Sequence, residues 1–332
     1  MRMNKCLAGC AVALGLASVT SLELRAQEPG KTAGPSSKAA QDLVAKAMAL
    51  AKDDLVKEAQ VACTEAGPAR EPDRRAMVPV EPLKVFDNLY YVGFEQIGTW
   101  TLDTGDGLIL FDTLNNPLEA RDVLIPGLQK LGLDPATIKY VVLSHGHFDH
   151  FGGAPYLQER YGMPVMMTAA DWAFMNRPPG PNATEAQRKR PLPSKDREIA
   201  DGQRLTLGNT TITFGHMPGH TPGTIAMTFQ VRDKGVPRTV LFPGGALQVP
   251  DKGSLRAFEH IMNDYFKATK PEMVFNSHPL TMNDGLSMMR QIRQNPNGPN
   301  PYVMGQEKMA RYMDIMLLCR KAWVVEKDPS AL

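Results

Sequence analysis

Residues 144–150, which read SHGHFDH, place three histidines and an aspartate directly after an apolar, strand-like run. Residues two positions apart in an extended chain share a face, so His145 and His147 can converge on one ion. Asp149 and His150 come one turn later and can serve a second ion. Three buried histidines this close together would need too many hydrogen-bond partners without a metal. The segment therefore predicts a metal site on a loop at the end of a buried strand.

Two further histidines also follow strand-like runs. His220 lies in the sequence GHTPGT, a turn fixed by glycine and proline, and His278 precedes a proline. Loops after strands are where ligands and catalytic groups are usually mounted. His216 is close enough to His220 to line the same site. His260 falls inside a helical pattern and is expected on the surface or in packing.

The middle of the chain alternates short strand-like runs with amphipathic helices, which predicts α/β or α+β layering with about ten strands. Residues 104–107 have the chemistry of a hairpin turn, so the first strands are expected to be antiparallel. Strands are expected at residues 89–94, 99–102, 108–111, 139–143, 165–167, 204–207, 210–214, 225–231, 239–242 and 273–275. Helices are expected at residues 39–61, 117–131, 153–161 and 303–325.

In these motifs and their order the chain resembles the metallo-β-lactamase-fold hydrolases over roughly residues 85–293. It is most similar to the third subclass of true metallo-β-lactamases, whose ligands are all histidine or aspartate. The resemblance implies an αββα sandwich, in which two facing mixed β-sheets are flanked by helices and a dizinc site lies at one edge. It assigns one zinc ion to His145, His147 and His220, and a second zinc ion to Asp149, His150 and His278. Histidine and carboxylate ligands suit zinc, and catalytic zinc sites keep a position open for water.

The resemblance also implies a reaction in which a metal-bound hydroxide attacks a small-molecule substrate, because zinc lowers the pKa of bound water to about 7. Asp149 would be both a ligand and the catalytic carboxylate that orients the nucleophile or moves its proton. Hydrolysis of an amide, with a β-lactam ring as the leading case, is the first expectation. Lactone or ester hydrolysis is the alternative, and a metal-dependent binding protein without turnover is a third. An open coordination position on the metal would distinguish an enzyme from such a binding protein.

The loop after the strand expected at residues 239–242 departs from the family pattern. Many members carry a metal-bridging aspartate there, whereas this chain reads PGGA at residues 243–246. The difference favours the lactamase-like branch over glyoxalase-type thioesterases, lactonases and RNA-processing nucleases. Third-subclass enzymes hold the substrate carboxylate with serines in this loop, but Gly245 and Leu247 supply no hydroxyl.

Residues 176–197 interrupt the alternation with proline, arginine and lysine. They form either a solvated surface loop or a loop over the active site. In the second case basic side chains could hold a substrate carboxylate. The candidates are Arg177, Arg188, Lys189, Arg190, Lys195 and Arg197.

A few other side chains have two interpretations. Asp103 and Asp112 lie near a turn and a strand end, where an aspartate either stabilises the turn or supports a metal ligand. The methionines are mostly expected in the core. Met166, Met167 and Met175 could instead line an apolar pocket near the basic segment.

The first 26 residues have the pattern of a secretory signal peptide that is cleaved before Gln27. Their apolar run, residues 6–19, is too short to span a bilayer, and a buried N-terminal helix is the alternative. The lipoprotein-like sequence LAGC at residues 7–10 precedes most of this run, so no stable membrane anchor is expected. We expect export to the bacterial periplasm. The mature chain would have an N-terminal extension with one helix over residues 27–82 and a metallo-β-lactamase-like domain over residues 83–332.

Cleavage would leave Cys63 and Cys319 in the mature chain, each within a helical pattern. An oxidising compartment permits a disulfide between them, and two unpaired buried thiols are the alternative. The formal charge of +2 on 332 residues indicates no nucleic-acid partner. The sequence leaves the oligomeric state open.

Overall fold

Two mixed β-sheets face each other across an apolar core, and helices cover both outer faces. The computed structural model describes residues 34–64, 77–245, 251–280 and 284–330. The expected leader, its cleavage site and the loop residues Ala246 and Leu247 lie outside these ranges. The layered arrangement confirms the predicted αββα sandwich.

The first sheet has seven strands that lie side by side in sequence order. The first four are antiparallel, as the hairpin turn predicts, and the fourth to the seventh are parallel. They are β1 (Pro79–Phe86), β2 (Leu89–Phe94), β3 (Gly98–Asp103), β4 (Leu108–Phe111), β5 (Ile138–Val142), β6 (Val165–Met167) and β7 (Arg197–Glu198).

The second sheet has five strands. They are β8 (Arg204–Leu207), β9 (Thr210–His216), β10 (Ile225–Asp233), β11 (Val236–Pro243) and β12 (Met273–Val274). The spatial order is β12-β11-β10-β9-β8, and only the β11–β12 pair is parallel.

Helices connect the strands and cover the outer faces of both sheets. They are α1 (Lys38–Ala51), α2 (Val56–Thr64), α3 (Pro117–Glu119), α4 (Ile125–Lys130), α5 (Phe148–Phe151), α6 (Ala154–Tyr161), α7 (Ala169–Met175), α8 (Glu185–Arg188), α9 (Lys252–His260), α10 (Lys267–Thr269), α11 (Gly285–Gln294) and α12 (Gln306–Lys327). Ala120–Leu124 and Ile261–Phe266 are π-helical, and Pro135–Thr137 is a short 3-10 turn.

Aromatic side chains from both sheets fill the central core. Trp100 on β3 lies with its ring centroid 4.4 Å from that of Phe275, which follows β12. The indole Nε1 of Trp100 donates to the carbonyl of Asn276 at 2.9 Å. This contact satisfies the buried indole and fixes the start of the loop that carries His278.

One predicted helix was wrong, and the described residues form twelve strands where about ten were predicted. The missed strands are β1 and β7, and β7 lies at the end of the segment expected to be a loop. The spacing over residues 39–61 predicts one helix, but the chain forms α1 and α2, and Lys52 ends α1 with a φ of 49°. The edge strand β1 was not predicted, because Pro79 and Pro82 interrupt its apolar pattern. Proline is tolerated on an edge strand, where one row of backbone amides needs no partner.

A disulfide joins Cys63 in α2 to Cys319 in α12, which confirms the predicted pairing. The helices α1, α2 and α12 pack with α9 on the outer face of the second sheet. Within the described ranges, none of the helices combines the length and the apolar character needed to cross a bilayer.

Candidate metal centre

Loops from both sheets meet at one edge of the sandwich. In the first sheet β4, β5 and β6 are parallel, so they end at the same edge. In the second sheet β9, β11 and β12 point the same way, because β10 is antiparallel to both β9 and β11. The amide of Ile225 donates to the carbonyl of Ser144 at 3.1 Å, which joins the two sheets here. The edge therefore gathers the loops in which the sequence places its candidate ligands.

The SHGHFDH segment passes from extended to helical backbone at His147. This residue is the N-cap of α5, with φ −87° and ψ 152°, and Asp149 and His150 form the first turn of the helix. A Cβ at Gly152 would lie 2.0 Å from the carbonyl oxygen of Asn115, so only glycine allows α5 to pack this close to the loop after β4. This geometry agrees with the prediction that His145 and His147 face one ion, whereas Asp149 and His150 face a second.

His145, His147 and His220 form the first group of possible ligands. The Nδ1 atom of His147 lies 3.1 Å from Nε2 of His145 and 3.1 Å from Nε2 of His220. His145 is fully buried, whereas the other two are partly exposed. Three ring nitrogens thus converge on one point that is open on one side.

Asp149, His150 and His278 form the second group. The Nε2 atoms of His150 and His278 are 3.0 Å apart. The Oδ2 atom of Asp149 lies 3.5 Å from the first and 3.4 Å from the second. Both groups have donors that suit a metal ion; ligation and the identity and number of ions stay predictions.

The remote nitrogens of three histidines are held by fixed acceptors. The Nδ1 atoms of His145, His150 and His278 lie 2.7 Å from the Gly244 carbonyl, from Oδ2 of Asp112 and from the Gln96 carbonyl, respectively. In each neutral ring the proton therefore belongs on Nδ1, which leaves a lone pair on Nε2. The Nε2 lone pairs of His150 and His278 then face each other, an arrangement that a cation between them stabilises. This pattern of outer hydrogen bonds is typical of metal-binding histidines.

Asp112 supports the second group without belonging to it. Its buried carboxylate accepts from the backbone and hydroxyl of Ser144, both at 2.8 Å, and from Nδ1 of His150. Ser277 donates to the same carboxylate at 2.5 Å. Asp112 therefore links the residue before His145 to the residue before His278, and supporting the possible ligands is the role that fits it.

Asp171 on α7 has the corresponding position beside the first group. Its carboxylate accepts from the amide of Gly146 at 2.8 Å, from the hydroxyl of Thr221 at 2.6 Å and from the amide of Gly223 at 2.8 Å. These partners flank His145, His147 and His220 in sequence. Burial raises the pKa of Asp171, against the effect of these hydrogen bonds. Asp171 was not predicted from the sequence, although an aspartate three residues after Thr168 at a helix start was visible.

Burial and charge set the protonation of the possible ligands. Burial lowers the pKa of His220 to about 4, and burial together with the neighbouring imidazoles lowers the pKa of His145. Burial alone would raise the pKa of Asp149, but His150 and His278 hold it below its usual range. Burial alone would lower the pKa of His150, but Asp112 and Asp149 raise it. At neutral pH, His145 and His220 are therefore in the neutral form and Asp149 is in the ionised form that bind metal ions.

Other candidates from the sequence lie outside the two groups. The ring of His216 contacts the Ile199 carbonyl at 3.2 Å, and His260 lies between Asp201 and Asp264 on the surface. Asp103 accepts from Gly105 and stabilises the hairpin turn. The three methionines near the basic segment are buried in the apolar core: Met166, Met167 and Met175.

The loop after β11 approaches the first group closely. A Cβ at Gly245 would lie 2.7 Å from Cβ of His220 and 2.9 Å from its ring. Nothing larger than glycine fits at Gly245 unless His220 shifts. This position supplies neither a bridging carboxylate nor a hydroxyl.

Two arginines of the basic segment lie beside the centre. The guanidinium of Arg177 stacks on Phe174 at 3.8 Å from the ring centroid, and Phe174 lies 5.6 Å from the ring of His147. Arg190 stacks at 4.1 Å on Phe148, the residue between His147 and Asp149. Part of residues 176–197 therefore borders the site.

The family model described as the metallo-beta-lactamase superfamily matches residues 92–278. The chain is 29% identical over 128 residues to hydroxyacylglutathione hydrolase GloC of Haemophilus influenzae, which covers 37% of this chain and 57% of that protein. It is 26% identical over 193 residues to the probable metallo-hydrolase YybB of Bacillus subtilis, and the match covers 55% of this chain and 80% of that protein. The chain spans about half the length of the first curated relatives it matches.

Solved structures with a similar fold include metallo-beta-lactamases, of which BJP-1 is described as a member of subclass B3. BJP-1 of Bradyrhizobium japonicum superposes with a TM-score of 0.60 at 27% identity, covering 72% of this chain and 92% of that chain. FEZ-1 from Legionella gormanii gives a TM-score of 0.57 at 22% identity, covering 72% and 93%. The likeness to FEZ-1 concerns the fold alone.

Proposed function

Since the chain belongs to the metallo-β-lactamase superfamily, we propose that it is a hydrolase with two zinc ions that cleaves amides, with a β-lactam ring as the leading substrate. The observation that carries the proposal is the pair of Nε2 atoms of His150 and His278, which face each other at 3.0 Å while their Nδ1 atoms are held by acceptors. The first ion would be held by His145, His147 and His220, and the second by Asp149, His150 and His278.

When bound, zinc would bring the pKa of a coordinated water to about 7 and would polarise a substrate carbonyl. The protein keeps Asp149 ionised, so its carboxylate can accept a hydrogen bond from the attacking water or take up its proton. The fixed Nδ1 contacts of His145, His150 and His278 hold their Nε2 atoms in place. This preorganisation avoids reorientation during the reaction.

The substrate has one side from which to approach. His145 and His150 are buried, whereas the side chains of Asp149 and His278 are 25% and 27% exposed. The exposed side includes His147 and is bordered by Phe148 and Phe174. These rings limit water beside the reacting carbonyl and offer an apolar surface to the substrate.

Lactone or ester hydrolysis is the alternative on the same centre. The position of Gly245 favours it, because no hydroxyl is available there to hold a β-lactam carboxylate. The similarity to a hydroxyacylglutathione hydrolase also supports activity on compounds other than amides. The missing bridging aspartate favours the leading proposal over this one.

We also propose export to the periplasm after cleavage before Gln27, with an N-terminal extension of the catalytic domain that ends where β1 (Pro79–Phe86) begins and not at residue 82. The buried disulfide between Cys63 and Cys319 supports an oxidising compartment. Edman sequencing of the periplasmic protein should start at Gln27, and a start at Met1 would contradict export.

The test of function is a hydrolysis screen of the zinc-loaded protein against a penicillin, a carbapenem, a chromogenic cephalosporin, a lactone and an aryl ester. We expect the protein to hydrolyse the β-lactams. The variant Asp149→Asn should lose this activity while the first group keeps its zinc ion. Ester or lactone hydrolysis without β-lactam turnover would replace the leading proposal with the alternative. A protein that holds two zinc ions and turns over none of these compounds would be a metal-dependent binding protein.

A further inference from the structure

The two arginines beside the centre differ from three other basic side chains of residues 176–197, namely Arg188, Lys189 and Lys195. A further arginine of the segment, Arg197, stacks on Tyr140 of β5. Lys189 pairs with Glu185 and Lys195 with Glu198. Arg188 donates to two backbone carbonyls of its own loop. Among the residues that the structure describes, by contrast, no carboxylate forms an ion pair with Arg177 or Arg190.

Both guanidinium groups are held in place through aromatic rings that touch the metal-binding segment. Phe174, under Arg177, packs on Gly146 so closely that a Cβ there would lie 3.1 Å from its Cδ1 atom. Phe148, under Arg190, is itself part of the SHGHFDH segment. Stacking on an aromatic face leaves the edge of a guanidinium free to donate hydrogen bonds. The two groups are thus preorganised donors.

Both charges lie within electrostatic reach of the ligands. Burial lowers the pKa of Arg190, and the charge of Asp149 opposes that shift. Arg177 lies beside the first group through Phe174, whose ring centroid is 5.6 Å from that of His147. Only one of the six possible ligands is anionic, so a loaded centre with two such neighbours would be strongly positive.

We infer that Arg177 and Arg190 form an anion-binding subsite that selects substrates carrying a carboxylate near the scissile carbonyl. This inference rests on the proposed function and narrows its substrate class to anionic acyl compounds. The subsite would replace the hydroxyls that the loop at Gly245 does not provide. Arginine suits this task, because its planar fork binds both oxygens of a carboxylate.

The experiment measures binding to the zinc-loaded protein by calorimetry with two thiols of the same size, 3-mercaptopropionate and 3-mercaptopropionamide. A thiolate binds zinc, so both probes report on the metal centre, and only their charge differs. We expect the carboxylate to bind at least about tenfold more tightly than the amide, and this ratio to shrink with added salt.

Arg177→Gln and Arg190→Gln should each reduce the ratio about fivefold to tenfold, while the amide binds as before. Arg177→Lys and Arg190→Lys should restore part of it. Arg188→Gln and Lys189→Gln are the matched controls in the same segment and should leave the ratio unchanged. Zinc content and melting temperature check that each variant is folded and loaded.

Equal binding of the two thiols to the unmodified protein, or an unchanged ratio in both glutamine variants, would overturn the inference and leave the proposed function standing. An unmodified protein that holds no zinc and binds neither thiol would overturn the proposed function, and the inference with it.

Discussion

The Nδ1 atom of His150 lies 2.7 Å from Oδ2 of Asp112, and that carboxylate also accepts from Ser277 beside His278. Asp112, which belongs to neither ligand group, therefore orients the ring of His150 and the segment that carries His278. Its partners come from two separate segments, residues 144–150 and the loop after β12, so the geometry of the second group depends on a single buried carboxylate.

Asp112→Asn should weaken metal binding at the second group about 10-fold to 100-fold, because His150 loses the charged acceptor that fixes its tautomer and raises its basicity. The first group should lose much less. Competition titrations with a chelator measure both affinities. Asp103→Asn, which affects only the hairpin turn, is the control. Equal weakening of both groups would show that Asp112 stabilises the fold without serving one site.

The intact protein should bind about two zinc ions per chain, because each set of three protein ligands leaves a position open. His220→Ala should lose mainly the first ion and His278→Ala mainly the second. Elemental analysis of the purified variants gives the counts. At most one ion in the intact protein, or unchanged counts in both variants, would reject the dinuclear assignment.

Gly245→Ala should displace His220, since the new methyl carbon would start 2.7 Å from its Cβ. Crowding of this kind costs about 1–3 kcal/mol, and here we expect it to appear partly as weaker zinc binding at the first group. Thermal melts and chelator titrations measure the two parts. Gly180→Ala, where a Cβ would meet nothing within 4 Å, is the matched control. Unchanged zinc affinity would mean that the loop moves and His220 does not.

The metal-free protein should lose stability as the pH falls below about 6.5. The pKa of His220 is about 4 in the folded protein against 6.5 in the unfolded chain, so between these values the unfolded state binds the extra proton. From pH 7.5 to pH 5 this group should remove about 2 kcal/mol from the free energy of unfolding. His220→Gln should show a correspondingly smaller loss in urea titrations. An identical pH dependence in both proteins would contradict the burial effect.

Removing the disulfide should destabilise the protein by about 2–5 kcal/mol, because Cys63 and Cys319 are 256 positions apart and the bridge restricts the unfolded chain. Urea titrations of the oxidised protein and of Cys63→Ala/Cys319→Ala measure the difference. Peptide mapping under non-reducing conditions should find the two cysteines linked. Two freely alkylated cysteines would refute the bridge.

The parts of the centre that follow local geometry could be predicted from the sequence. An extended segment brings His145 and His147 to one face, and the helical turn after it turns Asp149 and His150 to another. Parallel strands then end at the same edge, so His220 and His278 could be expected nearby. Periodicity and spacing carry this much information, because they depend on near neighbours in the chain.

Asp112 could be named from the sequence as a possible support for a metal ligand, but the partners of the supporting carboxylates could not be predicted, because each contact joins residues far apart in sequence. Asp171 meets Thr221 at a separation of 50 positions, and Asp112 meets Ser277 at 165. A buried aspartate looks the same in sequence whether it stabilises a turn or receives four hydrogen bonds. The crowding of Gly245 against His220 likewise depends on how the loop after β11 packs.

The backbone amides of Ser36 and Ser37 donate to the Glu326 carboxylate at 3.0 and 2.8 Å. Like the disulfide, these hydrogen bonds join the N-terminal helices to α12. The start of α1 and the end of α12 lie side by side, so the described chain enters and leaves the fold at one point. A circular permutation that joins residue 330 to residue 34 would need only a short linker. New chain ends could then be opened at the exposed turn of Lys234 and Gly235, between two strands of the second sheet.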